Sequence, residues 1–147
     1  MTPSLTERLF WSGHSNPASV WAAITAYPLL ILGLYRRDRR LLAGVVGTVA
    51  LSSLFAPEPD DDSAWATRVV LGERVWLDRG LLSAPGDLLF VCLGVPVHLF
   101  TFRAAVRRQP VRTAVGTLLS LVCMFVFFAR MVRLYEDHTI EQVVSTT

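Results

Sequence analysis

The sequence has no lysine; all fourteen of its basic residues are arginine. Arginine codons can be GC-rich and lysine codons cannot, so this absence reads as coding bias rather than a need for guanidinium at every position. Cysteine is scarce too. Cys92 and Cys123 cannot staple a disulfide framework, and without a CxxC pair they carry no redox motif. Their expected role is that of small buried hydrophobes. Charge is thin: 18% of residues are charged, against about 25% in an ordinary soluble domain, while 52% are hydrophobic. This balance excludes a disordered chain, a nucleic-acid-binding tail and a disulfide scaffold. The 147 residues suffice for a single domain.

Charge is also unevenly placed. No formal charge occurs from Leu9 to Tyr35, Leu41 to Pro57, Leu88 to Phe102 or Thr113 to Ala129. A helix of a soluble bundle shows a polar face at nearly every turn, whereas one that is apolar all round is buried in a large core or in lipid. A chain this short has no core able to hide four such helices. The expected architecture is therefore all-α: one integral membrane domain over residues 1–147, with four transmembrane helices at about 17–35, 41–56, 85–102 and 111–131. Pro17 to Tyr35 would rise about 28 Å, close to a hydrocarbon slab of about 30 Å. Leu41 to Ala56 gives only about 24 Å, so it crosses with local thinning or forms a re-entrant hairpin.

Boundary residues agree with these spans. Asn16-Pro17 suits a helix start, and Pro85 and Pro110 open the third and fourth helices in a similar way. Pro57 and Pro59 stop the second. Pro28 and Pro96 fall inside helices and are expected to bend them. The N-terminal stretch, with Glu7 and a single arginine ahead of a spanning-length run, does not read as a cleavable signal. Neither an internal repeat nor a lipidation motif is found.

Arginine sets the expected orientation. The loops after the first and third helices hold Arg36, Arg37, Arg39, Arg40, Arg103, Arg107, Arg108 and Arg112 with one acid, Asp38. The rest of the chain holds six arginines and eleven acids. Arginine dense beside helix ends faces the cytoplasm, which leaves both termini and the central loop extracytoplasmic in a cell membrane. In that loop the acidic turn Asp60-Asp61-Asp62 precedes Ser63, a candidate cap for a helix at about 64–79. Trp65, Val69, Gly72 and Trp76 share one stripe at 100° per residue, as expected of an amphipathic helix on the membrane surface.

Glu73 falls towards the apolar side of that helix. A carboxylate so placed needs a partner or a proton, and Arg130, interrupting an apolar run in the fourth helix, is the expected partner. His14, Asn16, Glu73, Trp76 and Arg130 together make a candidate polar site at the extracytoplasmic face. His14, the Asp60–Asp62 run and His138 lie on that same face, but no ligand spacing such as HxxxH supports a metal, and no cofactor is implied. His98, inside the third helix, reads as a neutral histidine bonded to a neighbouring carbonyl. Small residues four apart (Gly44, Thr48 and Ser52; Gly116 and Ser120) permit close helix packing within the chain or between copies.

The segments Phe10-Trp11-Ser12-Gly13-His14-Ser15-Asn16-Pro17 and Gly72-Glu73-Arg74-Val75-Trp76 carry a resemblance. With them the chain resembles a family of small prokaryotic integral membrane proteins known only as a domain of unknown function. The resemblance implies that these segments are the family's recognisable features and transfers no catalytic residue. The chain contains no phosphate loop, nucleophile elbow or dinucleotide fingerprint, so whether it is an enzyme stays open. The first expectation is a non-enzymatic membrane protein acting through helix or lipid contacts, with the bilayer and a membrane-protein partner or second copy as partners. A small membrane enzyme or lipid-binding protein using the extracytoplasmic site is the alternative, and an oligomeric channel or transporter a weaker one.

Overall fold

The computed structural model describes residues 13–80 and 82–145. Among the described residues there is no strand, and five helices are delimited: α1 (Pro17–Arg36), α2 (Arg39–Phe55), α3 (Trp65–Arg79), α4 (Pro85–Val106) and α5 (Pro110–Ser145). Three of them, α1, α4 and α5, are long and apolar enough to cross a membrane, which marks the chain as a membrane protein. Large apolar side chains stay exposed along them, among them Leu89, Leu99 and Leu118, as suits helices solvated by lipid.

Two tight turns pair the helices, and both use the same device. Arg37 closes α1 in the left-handed conformation (φ 56°), while the Asp38 N–H reaches back to the Gly33 carbonyl. Arg108 does the same after α4 (φ 55°), with the Gln109 N–H on the Ala104 carbonyl. These bonds satisfy carbonyls that a helix end would otherwise leave orphaned. Asp38 then caps α2, its Oδ1 accepting from the Arg40 and Leu41 N–H groups.

The hairpin α1–α2 is level at both ends. Near the turn, a Cβ at Gly33 would press on the Leu42 side chain. At the other end Ser19 Oγ lies 2.9 Å from the Ser52 carbonyl, and Asn16 Nδ2 donates to the Pro57 carbonyl at 2.9 Å. In the second hairpin, a Cβ at Gly116 would fall 2.6 Å from Thr101 Oγ1, so the glycine lets α4 and α5 close up. Gly44 behaves differently from the packing expected of it: nothing among the described residues lies within 4 Å of the position its Cβ would take.

Helix α3 crosses α5 where Gly72 meets Met131, so closely that any Cβ on Gly72 would overlap the Met131 carbonyl oxygen. Ala66 and Val70 fill a core with Val20 and Ile24 of α1, bordered by Trp65, Met124 and Phe128. The start of α3 differs from expectation. Ala64 occupies the cap position with no side-chain bond, because the Ser63 hydroxyl is held by Asp61 instead. α5 also runs well past 131, to Ser145. No proline or glycine interrupts residues 132–145, so leaving the apolar stretch does not end the helix.

Candidate functional site

Pro85-Gly86-Asp87 opens α4 and places an acid in its first turn, where free N–H groups and the helix dipole favour a negative charge. Asp87 is only 1% exposed. Its Oδ1 accepts from Arg130 Nη2 at 2.6 Å, and its Oδ2 accepts from Arg79 Nη2 and from the Ala84 N–H, each at 3.3 Å. Arg79 ends α3 and Arg130 belongs to α5, so one carboxylate ties three helices together. Glycine at 86 provides the space, since a Cβ there would come within 2.9 Å of the Arg130 guanidinium. The same guanidinium lies over the Phe90 ring, 5.5 Å from its centroid.

Two cations on one anion leave a surplus positive charge. A guanidinium carries five N–H donors, and neither arginine makes a further hydrogen bond among the described residues. Both line a cavity of about 540 Å³ together with Arg133, Asp137, Phe90 and Val126. Arg133 is exposed and has no ion pair among the described residues.

The residues picked from the sequence fall into separate places. Arg130 pairs with Asp87 and not with Glu73, which corrects the expected bridge. Arg130 faces α4, where Gly86 makes room, whereas Glu73 follows Ala66 and Val70 on the face of α3 that packs on α1. Glu73 is half-buried and has no hydrogen bond or ion pair among the described residues; burial pushes its carboxyl pKa up to about 7. Trp76 stacks edge-on against Phe127, with ring centroids 5.3 Å apart. Its buried indole N–H sits beside the Asp87 carboxylate, yet no acceptor among the described residues lies within bonding geometry.

His14 and Asn16 belong to a different cluster, a knot joining the start of α1 to α2 and α3. Asn16 Oδ1 accepts from the Ala18 N–H at 2.9 Å while its amide holds Pro57. Thr67 Oγ1 donates to the Ser15 carbonyl at 3.0 Å, and Gly13 is jammed against the Ser53 carbonyl. His14 is half-buried there, and desolvation lowers its imidazole pKa. The acidic turn and His138 have other partners: Asp62 accepts from the Tyr135 hydroxyl, and His138 pairs with Gln142. Among the described residues no three His, Cys, Asp or Glu side chains are grouped to hold a metal ion.

A third cluster lies between α1, α4 and α5. His98 Nδ1 is 3.2 Å from the Tyr27 hydroxyl, so its partner is a phenol and not the carbonyl expected. Thr101 Oγ1 donates to the Val97 carbonyl at 2.8 Å, and Ser120 Oγ lies 3.0 Å from it. Sequence reasoning missed Asp87, Arg79 and Tyr27 as site residues. The Pro-Gly-Asp opening of a spanning helix was the available signal for Asp87.

With this geometry in place, comparison with known proteins adds one assignment. Residues 6–147 match the family of unknown function DUF6653, and the chain belongs to that family, as the resemblance in its His-Ser-Asn-Pro and Gly-Glu-Arg-Val-Trp segments implies. No curated protein and no solved structure matches it.

Proposed function

We propose that this is a four-span membrane protein, its arginine turns in the cytoplasm, that acts without catalysis by holding an anionic lipid headgroup in the Asp87 cleft. Support for a fourth crossing comes from α2. Its 17 residues rise about 26 Å, and its ends are level with those of α1, so a bilayer that contains α1 contains α2 as well. Support for the orientation comes from the eight arginines and one acid gathered at the two turns. Helix α3 then lies at the opposite, extracytoplasmic boundary, with Trp65 and Trp76 at headgroup depth.

The observation that carries the reading is the sharing of Asp87 between Arg79 and Arg130, with Arg133 beside them. A lone arginine at this depth would be neutralised by one acid. Here the carboxylate fixes two guanidinium groups and leaves donors of both facing a cavity at the end of exposed apolar helices, where Leu88 and Leu89 meet lipid. Fixed guanidinium groups recognise phosphate oxygens well because the fork is pre-organised. A small enzyme built on His14, Glu73 and Arg130 has less support, since His14 sits in the α1–α2 knot and Arg130 is held by Asp87.

Native mass spectrometry of detergent-purified protein exposed to equimolar phosphatidylglycerol and phosphatidylcholine tests this. The wild type is expected to retain phosphatidylglycerol in preference, and Arg133→Gln, which leaves the Asp87 pairs intact, to reduce that preference. Arg79→Gln with Arg130→Gln is expected to abolish it. Equal retention of the two lipids by the wild type overturns the reading.

A further inference from the structure

We infer that the headgroup held in the Asp87 cleft continues from its phosphate into a primary ammonium group, as in an ethanolamine phosphate lipid. The inference deepens the headgroup reading and rests on it. The cavity lined by Arg79, Arg130 and Arg133 adjoins a second one of about 510 Å³, and Arg79, Leu134 and Asp137 line both. The second cavity adds Asp78 and Glu141 to Asp137, so the charge of the lining reverses from one chamber to the next. None of these three acids makes a side-chain hydrogen bond or ion pair among the described residues. Arg133 and Asp137 stand one turn apart on α5, a spacing at which opposite charges often pair. They form no ion pair here, and both line the arginine cavity.

One occupant matches both linings. Arg130, Arg133, Asp137 and Glu141 follow one another along α5 as it leaves its apolar stretch, the cations nearer the lipid and the acids farther out. A bilayer phospholipid runs in the same order, from acyl chains to phosphate to the terminal group. Leu88 and Leu89, next to Asp87 in the chain, are exposed and give the acyl chains an apolar surface. From Arg133 to Asp137 the helix rises about 6 Å, a step comparable to the four-bond chain from phosphorus to nitrogen in ethanolamine phosphate. A metal ion fits less well, because no three His, Cys, Asp or Glu side chains among the described residues converge to hold one. An ammonium brings three N–H donors and takes carboxylates spread around it. Choline has the same charge but no N–H, and its methyl groups keep that charge away from a carboxylate.

The test gives the detergent-purified full chain equimolar phosphatidylethanolamine and phosphatidylcholine with identical acyl chains and reads retained lipid by native mass spectrometry. Both lipids carry the phosphate, so their ratio reads the acidic chamber alone. The wild type is expected to retain phosphatidylethanolamine about fivefold over phosphatidylcholine. Asp137→Asn with Glu141→Gln changes two exposed side chains. This double variant is expected to bring the ratio near one while keeping phosphatidylglycerol ahead of phosphatidylcholine. Arg133→Gln is expected to lower retention of both lipids and leave their ratio unchanged. Equal retention of phosphatidylethanolamine and phosphatidylcholine by the wild type overturns the inference, as does a wild-type ratio in the double variant. The headgroup reading fails separately, when phosphatidylglycerol and phosphatidylcholine are retained equally. Phosphatidylglycerol still preferred, with phosphatidylethanolamine and phosphatidylcholine equal, overturns the ammonium chamber alone.

Discussion

Asp87 and Arg130 stand 43 residues apart in the chain, and their side chains meet at 2.6 Å. Arg79 closes on the other carboxylate oxygen, so α3, α4 and α5 converge on one buried acid. Removing a partner from a buried pair costs more than the pair contributes, because the remaining charge is left desolvated.

Asp87→Asn should therefore destabilise the protein by about 2–4 kcal/mol, the two arginines being a third exposed and partly rescued by solvent. Thermal unfolding in detergent measures this. A transition within experimental error of the wild type would show that the carboxylate does not organise the three helices.

Gly72 and Gly44 make a contrasting pair. Gly72→Ala drives a Cβ into the Met131 carbonyl and should separate α3 from α5, at a cost of about 2–3 kcal/mol or more. Gly44→Ala meets open space on α2 and should be neutral or stabilising by about 0.5–1 kcal/mol. The same unfolding assay reads both, and equal effects would refute the crossing point.

Glu73 ties stability to pH. Below its ordinary value of 4.5 it is protonated whether the chain is folded or not. Between 4.5 and about 7 the folded chain keeps a proton that the unfolded chain releases, so stability falls as pH rises through this window and levels off above it. The total loss is about 3 kcal/mol at most. Glu73→Gln should flatten that part of the profile and raise stability at pH 8, and an unchanged slope would mean that Glu73 is solvated.

The fourth crossing is open to chemical labelling. In a background with Cys92 and Cys123 replaced by alanine, Glu58→Cys should react with an impermeant maleimide on intact cells. Asp38→Cys, at the other end of α2, should react only after permeabilisation. Labelling of both from one side would leave α2 re-entrant.

The legible part of this molecule was its solvent. Runs without charge and the prolines at 17, 85 and 110 locate helix starts because lipid tolerates neither charge nor unsatisfied backbone, and both constraints act locally along the chain. The pairing of arginines was not local. Glu73, Asp87 and Arg130 lie on three different helices, so their pairing depends on how these pack, and Gly86 leaves space for the Arg130 guanidinium beside Asp87. Likewise the His98 partner depends on how α1 rotates against α4, which brings in Tyr27. The role of Asn16 was half visible: its capping of α1 follows from Asn-Pro, but its amide bond to Pro57 needs the whole hairpin.

The two left-handed arginines, Arg37 and Arg108, sit where glycine would be at ease, and each position costs about 1 kcal/mol relative to that choice. On the proposed orientation both belong to the basic clusters that the insertion machinery reads during synthesis. Replacing them with glycine would relax the hairpins while weakening the signal for which way round the nascent chain enters the bilayer. On that orientation, the small strain of these two turns serves the direction of insertion rather than the finished fold.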